Sequence, residues 1–443
     1  MDSNMDLKSS GMAVPDSDRM RVFNLTMAWS AIATSLYGII LGASLVLAFG
    51  IRDALVGQFI ASLFFGIIAI PITRNAIKTG HSVSSFAIIL FGRLGSHIIT
   101  FVFFITALYF AVFECSSMSL ALNQAFPDIH VGLANAIAVI FCCVLTLGSI
   151  QKWLDKLNGF LLPLFLAGIV LLSIFSVQKY GYHPGWYDLS NTHSFTFNGI
   201  FHCTIIATGA TSMIMYAMDY ARFGKKENIS ALSLGTFSIP FFLTMNIVNT
   251  LFPIILLGFV PIPHLGGSSA VIALMKISSI GGLIFIWITQ TRVNSANFFI
   301  SSENLQSLVL HVFGINVSRK IYVVLVGIAV WELMRINVFS YIFQALYYQG
   351  VLIDGWIGIS IAYVCFDNAK NRYREKLESL KLIDIGGVCS LLAGMIVGIA
   401  MYSLGGMSRT LSEFGTVIVA AGVYSIYRYL LTRRNHSEFS LNI

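Results

Sequence analysis

In the stretch "ALYFAVFECSSMS", Phe110 and Glu114 stand four residues apart, so on a helix an aromatic ring and a carboxylate point from one face. That combination suits a flat, nitrogen-rich ligand, which stacks on the ring while its N–H groups donate to the carboxylate. A protonated Glu114 bonding a neighbouring helix is the alternative. A second constellation lies in "WITQTRVNSANFF", residues 287–299. Gln290, Asn294, Asn297 and Ser301 follow at intervals of four, three and four, one polar stripe along a helical face. Carboxamides donate and accept, which fits them to reading a ligand's edge; joining two helices is the competing use. At about 100° per residue, Arg292 projects about 160° from Asn294, so its fixed positive charge serves another face. Glu332 and Arg335, in "AVWELMRIN", are three apart and neutralise each other near an outer end, as a solvated or gate-like ion pair.

Other chemistry is not signalled. No phosphate-binding loop, GxSxG or HExxH pattern occurs, the histidines are scattered, and the cysteines lie in apolar stretches without metal-ligand spacing. Neither an enzyme, a cofactor nor a metal centre is expected.

The elements that must hold these groups are membrane spans. With 56% hydrophobic and 11% charged residues and a mean hydropathy of +0.80, the chain falls outside the soluble balance, in which about a quarter of residues are charged. Apolar windows, each long enough to cross about 30 Å of hydrocarbon as a helix, predict about twelve spans. Their limits are 23–49, 54–73, 97–124, 131–150, 158–177, 195–218, 230–259, 268–297, 320–335, 338–366, 383–404 and 411–431. An ionisable residue inside such a window costs at least a few kcal/mol, which makes each one a functional candidate. The polar first twenty residues lack an apolar core ahead of a cleavage site, so no signal peptide is expected. The net charge of +7 follows topology: with both termini cytoplasmic, Arg74, Lys78, Arg93, Arg222, Lys225 and Lys226 fall inside, and only Arg52, Lys179, Arg335 and Arg409 outside. Nucleic acid is therefore not needed as a partner, and no obligatory protein partner is evident. The organisation is an N-terminal tail (1–22), a ten-span core (23–366), a cytoplasmic connection (367–382), two further spans (383–432) and a tail (433–443).

Two spans, the first and the sixth, hold small and hydroxyl residues that a plain apolar helix does not need: "AIATSLYGIILGAS" (31–44) and "ATGATSMIMYAMD" (207–219). Interruptions at matched places in two halves point to inverted repeats with broken helices, whose freed backbone groups bind a ligand at the midplane. Close packing through small residues is the alternative for either one alone.

Leaving the sixth span, "MDYARFGKKEN" (218–228) contains an Asp-aromatic-x-Arg-Phe-Gly run, and "KTGHSVSSFAIILFGRLGS" (78–96) joins the second and third spans. With these motifs and the Asn-bearing eighth span, the chain resembles, over nearly its whole length, the nucleobase:cation symporter family of cytosine permeases and allantoin and hydantoin transporters. The resemblance implies an all-α integral membrane protein of the leucine-transporter-like fold. That fold has two inverted five-helix repeats (about 23–177 and 195–366), two additional C-terminal helices, and a substrate site between broken spans one and six and spans three and eight. It implies secondary active transport of a nucleobase or related flat heterocycle by alternating access, in the inner or plasma membrane. Phe110 then occupies the stacking position of span three, with Phe for the more usual Trp, and Glu114 the polar position one turn later, with Glu for an amide. Ser35 and Gly38 mark the span-one break. In span six the matching segment is Gly209 to Ser212, with Ala210 where an aromatic is expected and Tyr216, more than a turn later, as the compensating ring. In span eight Asn294 and Asn297 match the substrate-facing positions, with Gln290 on the same stripe.

The departure from the family concerns the cation. Sodium-dependent relatives set small hydroxyl residues of span eight opposite span-one carbonyls, hard oxygen ligands that suit a sodium ion. The corresponding residues here are Ala31, Thr34, Thr289 and Val293, and Arg292 stands beside them. An arginine there replaces the ion, leaving three alternatives: transport uncoupled from sodium, proton-driven through Glu114, or an exchange. Asp219 and Arg222 are expected to order the inner end of span six, a proton-carrying Asp219 being the alternative. An amine or amino-acid carrier of the same fold, with Glu114 pairing a cationic substrate, is the alternative function.

Overall fold

The computed structural model describes residues 13–30, 32–147, 150–189, 195–209, 211–262, 268–336, 342–366 and 381–440. Ala31, Ala210, the Arg292 side chain and the connection 367–380 lie outside the described residues.

In their described residues the expected segments are largely helical, as spans must be where no water is present to bond a free N–H or C=O. Among the described residues six helices are long and apolar enough to cross a membrane alone, and two bent pairs raise the number to eight. The first bent pair is span one. It consists of α1 (Val22–Ser30), a short 3-10 turn (Ile32–Thr34) and α2 (Leu36–Phe49), with a 46° bend. Ser35 makes the break: its backbone is extended and its Oγ accepts from the Tyr37 N–H at 3.1 Å, capping α2. The second pair is span six, α7 (Phe197–Thr208) and α8 (Ser212–Ala221), bent by 45°. Between the bent pairs lie α3 (Ile51–Thr79), α4 (Val83–Ala125), α5 (Val131–Leu147) and α6 (Ile150–Tyr180). After span six follow α9 (Ile239–Phe259), α10 (Ser269–Ile277), α11 (Ser279–Phe313), α12 (Arg319–Leu333) and α13 (Ile342–Phe366). The chain closes with α14 (Ile385–Leu404), the short α15 (Gly406–Thr410) and α16 (Ser412–Ser440).

The eighth segment differs from expectation. The window 268–297 holds two helices, because extended Ser278 accepts from the Gly281 N–H at 3.0 Å and starts a new helix there. The eighth span proper is α11, which runs on to Phe313.

Spans three and eight, α4 and α11, form the most extensive helix pair; α2 packs on α9, and α3 on α7 and α9. The two C-terminal helices α14 and α16 pack on each other and on α13, so they cover span ten rather than hang from it. Two motif glycines explain themselves in this packing. Gly80 (φ 76°) ends α3 in the left-handed conformation. Gly92 (φ 79°) kinks α4 so that residues 381–384 pair with it: Leu94 N–H donates to Leu382 O (2.9 Å) and Asp384 N–H to Phe91 O (2.9 Å). A Cβ at Gly92 would stand 2.8 Å from Asp384 N, so only glycine fits both the torsion and the contact.

Candidate functional site

Glu114 lies in α4 with no solvent exposure, facing the start of α2. The Ser35 hydroxyl donates to its Oε1, and the Tyr37 backbone N–H also bonds the carboxylate. From α11, the Gln290 amide donates to Glu114 Oε2, while its oxygen accepts from the Leu36 N–H (3.3 Å) and the Thr289 hydroxyl (3.0 Å). The N–H groups freed at the span-one break are thus satisfied by Ser35, Glu114 and Gln290 together. One carboxylate joins spans one, three and eight.

Phe110, one turn before Glu114, is 3% exposed and walled by rings set edge to face: Tyr37 at 5.1 Å and Tyr216 at 6.3 Å between centroids. The Tyr216 hydroxyl donates to Asn297 Oδ1 at 3.1 Å, and the Asn294 amide donates to Cys115 Sγ at 3.2 Å. Tyr216, Asn294, Asn297 and Gln290 are all buried. The expected stripe therefore exists, but its members point to different neighbours: Gln290 to the span-one break, Asn294 to span three, and Asn297 to span six. Ser301 bonds only its own helix, at Asn297 O.

Several expected residues lie elsewhere. At Gly38, Asn249 of α9 packs so closely that a Cβ would overlap the amide, and the same amide donates to Ala33 O at 3.2 Å. The glycine's small size serves helix approach, the packing alternative. Gly209 and Ser212 stand at the span-six break, where a Cβ on Gly209 would lie 3.1 Å from Glu413 Oε1 rather than near Glu114. Ser212 is fully buried, with no partner for its hydroxyl. Glu332 and Arg335 pair at 3.3 Å with side chains 50% and 63% exposed, a solvated surface pair apart from the cluster. Such a pair contributes little to stability. Of the sodium candidates, Thr34, Thr289 and Val293 are buried where the 3-10 turn packs on α11, and Ala31 lies outside the described residues.

The inner end of span six is tied down more thoroughly than its motif suggests. Asp219 Oδ1 accepts the Val83 N–H at 2.7 Å, capping the approach to α4. Arg222 donates from Nε to the backbone oxygen of Asp219 (3.2 Å), and its ion pair, at 3.7 Å, is with Glu303 of α11. Asp219 and Arg222 thus hold the inner end of span six through separate bonds, to Val83 and to Glu303. His81, buried in the α3–α4 connection, is held down to about 4 by burial and by the Arg222 charge. Residues 14–20 are not a loose tail. Arg19 donates to Ile77 O (2.7 Å) and Gly224 O (2.6 Å), Met20 N–H to Phe223 O (2.7 Å), and Asp16 pairs with Arg19 (2.8 Å) and Lys226 (3.3 Å). The Arg-Phe-Gly motif therefore offers backbone carbonyls to an N-terminal latch.

Sequence reading missed Asp16, Arg19, Asp354 and Glu413. Asp354, in "QGVLIDGWIG", carried the same signal as Glu114, an acid inside an apolar window. Glu413 stood too close to a span's end to be separated from a boundary residue.

No family model and no curated relative matches the chain. Solved structures are similar in fold. Mhp1, a nucleobase-cation-symport-1 family transporter in a closed conformation with bromovinylhydantoin bound, is 16% identical, with 96% of each chain covered and a TM-score of 0.74. The inward-facing conformation of Mhp1 is 15% identical over 96% of this chain and 94% of that one, with a TM-score of 0.71. The substrate-bound outward-open state of a Na+-coupled sialic acid symporter is 14% identical over 92% and 89%, with a TM-score of 0.65. The chain has the leucine-transporter-like fold expected of it. It is a multi-pass membrane protein of all-α architecture.

Proposed function

We propose that the chain is a secondary transporter of the nucleobase:cation symporter family, moving a flat, nitrogen-rich heterocycle across the plasma membrane by alternating access. The observation that carries this reading is the buried meeting of Phe110, Glu114, Tyr216, Gln290, Asn294 and Asn297 at the span-one break. An aromatic face and a carboxylate one turn apart stack and accept from a heterocycle, whose N–H groups exchange with the Ser35 and Gln290 donors. Because those donors also cap α2, ligand exchange at Glu114 acts directly on the angle of the break. Mhp1, whose bound ligand is a hydantoin, supports the substrate class by analogy of fold. Cytoplasmic termini, the ten-plus-two division and the Ser212 hydroxyl as a local polar group belong to the same proposal.

The coupling ion is part of it. Arg292 beside Thr289 and Val293 takes the place of a sodium ion, so uptake is expected to be independent of sodium, and Arg292→Ser to weaken uptake or make it respond to sodium. A saturable sodium requirement of the wild type in proteoliposomes sinks this part. The substrate class is tested by thermal shift of the purified protein with cytosine, uracil, purines, allantoin, hydantoins and a pyrimidine vitamin precursor, in sodium and in potassium. Stabilisation by a heterocycle is expected; stabilisation by an amino acid and no heterocycle overturns the reading.

A further inference from the structure

A second pair of acids gathers at the other broken span. Asp354, midway along α13, is fully buried, and neither carboxylate oxygen has a hydrogen-bond partner. Glu413, in the first turn of α16, has a buried oxygen, Oε2, in the same condition. Both press on Gly350: a Cβ there would stand 3.0 Å from Glu413 Oε1 and 3.6 Å from Asp354 Oδ2. Both also meet the span-six break. Glu413 lies against Gly209, as described, and the buried Thr211 hydroxyl faces Asp354 without reaching hydrogen-bond geometry.

No basic group answers these charges. Neither acid forms an ion pair among the described residues. The buried Tyr37 hydroxyl of α2 has no hydrogen-bond partner among the described residues. Charged groups on the elements packed against the pair are held elsewhere: Asp53 by Thr196 Oγ1 (3.0 Å), Glu114 by Ser35, Asp219 by the Val83 N–H (2.7 Å), Asp384 by the Gly387 N–H (3.0 Å) and Arg409 by Tyr402. Two ionised carboxylates around one glycine, with no countercharge among the described residues, cost several kcal/mol where water is excluded. A divalent ion is not the remedy, since among the described residues no three His, Cys, Asp or Glu side chains gather to hold one.

We propose that Asp354 and Glu413 form a proton-binding site. One proton, taken from water, forms an O–H bond on one carboxyl group and removes its repulsion with the other, and the Thr211 hydroxyl turns to donate to Asp354. Loss of that proton sets two negative charges against Gly209 and Thr211, so occupancy biases the angle of the span-six break. The site stands independently of the transport reading; its coupling to alternating access rests on that reading.

The test is infrared difference spectroscopy of the full chain in nanodiscs, stepping pH between about 5.5 and about 9, above the range in which ordinary carboxylates titrate. The wild type is expected to gain a protonated-carboxyl C=O band on acidification. That band is lost in the Asp354→Asn, Glu413→Gln double variant, moves in either single variant because each acid sets the other's surroundings, and survives Glu114→Gln. Thr211→Val, which keeps the shape and removes the hydroxyl, moves the pH midpoint of the band. A band untouched by the double variant, a band lost in Glu114→Gln, or one abolished by sodium at fixed pH overturns the proposal. If the double variant does not fold, an unmoved midpoint in Thr211→Val does the same. A protein with the band that moves no heterocycle keeps this site and sinks the transport reading instead.

Discussion

Each of the two broken spans faces a buried acid, and the two breaks treat their acids in opposite ways. At the first, every group facing Glu114 is a donor: Ser35, Gln290 and the Tyr37 N–H. At the second, Asp354 meets another carboxylate and a hydroxyl outside bonding geometry. A carboxylate with a full set of donors can trade them for a ligand's N–H groups and keep its charge state. A carboxylate facing its own kind relieves the repulsion only by taking up a positive charge. In the two proposals the same residue type thus reads a ligand at one break and a proton at the other, and its neighbours decide which.

The comparison breaks first at Glu114. Glu114→Ala removes the acceptor shared by three buried donors, and a heterocycle's affinity is expected to fall by about 100-fold, roughly 3 kcal/mol, with Glu114→Gln falling by about 10-fold. Calorimetric titration checks this, and equal affinity in both variants and the wild type refutes the assignment. Phe110→Ala comes next, losing a stacking face of about 1 kcal/mol, about fivefold in affinity by the same titration, with the acidic pair's infrared band unchanged. Tyr216→Phe deletes only the hydroxyl bonded to Asn297, and at most about fivefold is expected, within the usual 0.5–1.5 kcal/mol of one hydrogen bond. The smallest effect concerns the inner mouth. His81 is held down to about 4 by burial and Arg222, so the folded chain keeps it neutral while an unfolded chain protonates it near the ordinary histidine value of 6.5. Its contribution is present above the unfolded value and is lost as pH falls from there toward about 4. His81→Gln is expected to flatten the acid limb of the melting temperature by a few °C at most. An unchanged limb removes His81 as its cause, and a flattened one keeps that limb from being credited to the acidic pair.

Much of the molecule was legible because lipid is an unforgiving solvent. Apolar windows announced the spans, and Glu114 and the Asn stripe stood out because polar groups at that depth need a reason. The break in span one was readable from Ala-Thr-Ser and in span six from Thr-Gly-Ala-Thr-Ser, since small and hydroxyl residues weaken a helix without lipid-facing gain. The Ser278 break was not read, because one serine and two glycines inside an apolar run look like packing residues until the capping bond is seen. Gly38 was read as a ligand position for the converse reason: a glycine beside a break shows in sequence neither Asn249, 211 residues further on, nor the overlap that a Cβ would cause.

The sequence by itself determined the solvent, the helical class, the two weak points in spans one and six, and the residue types at spans three and eight. These follow from local composition and from periodicity within single helices, where neighbours in space are neighbours in the chain. Only the tertiary structure decided which donors reach Glu114, that Arg19 latches the Arg-Phe-Gly motif, and that Asp354 and Glu413 share one break. Those pairings join groups that are 59 to 205 residues apart in the chain, such as Glu413 with Asp354 and the Arg19 guanidinium with the Gly224 carbonyl. Burial and the local field, which settle what a carboxylate does, are properties of that packing and of no single segment.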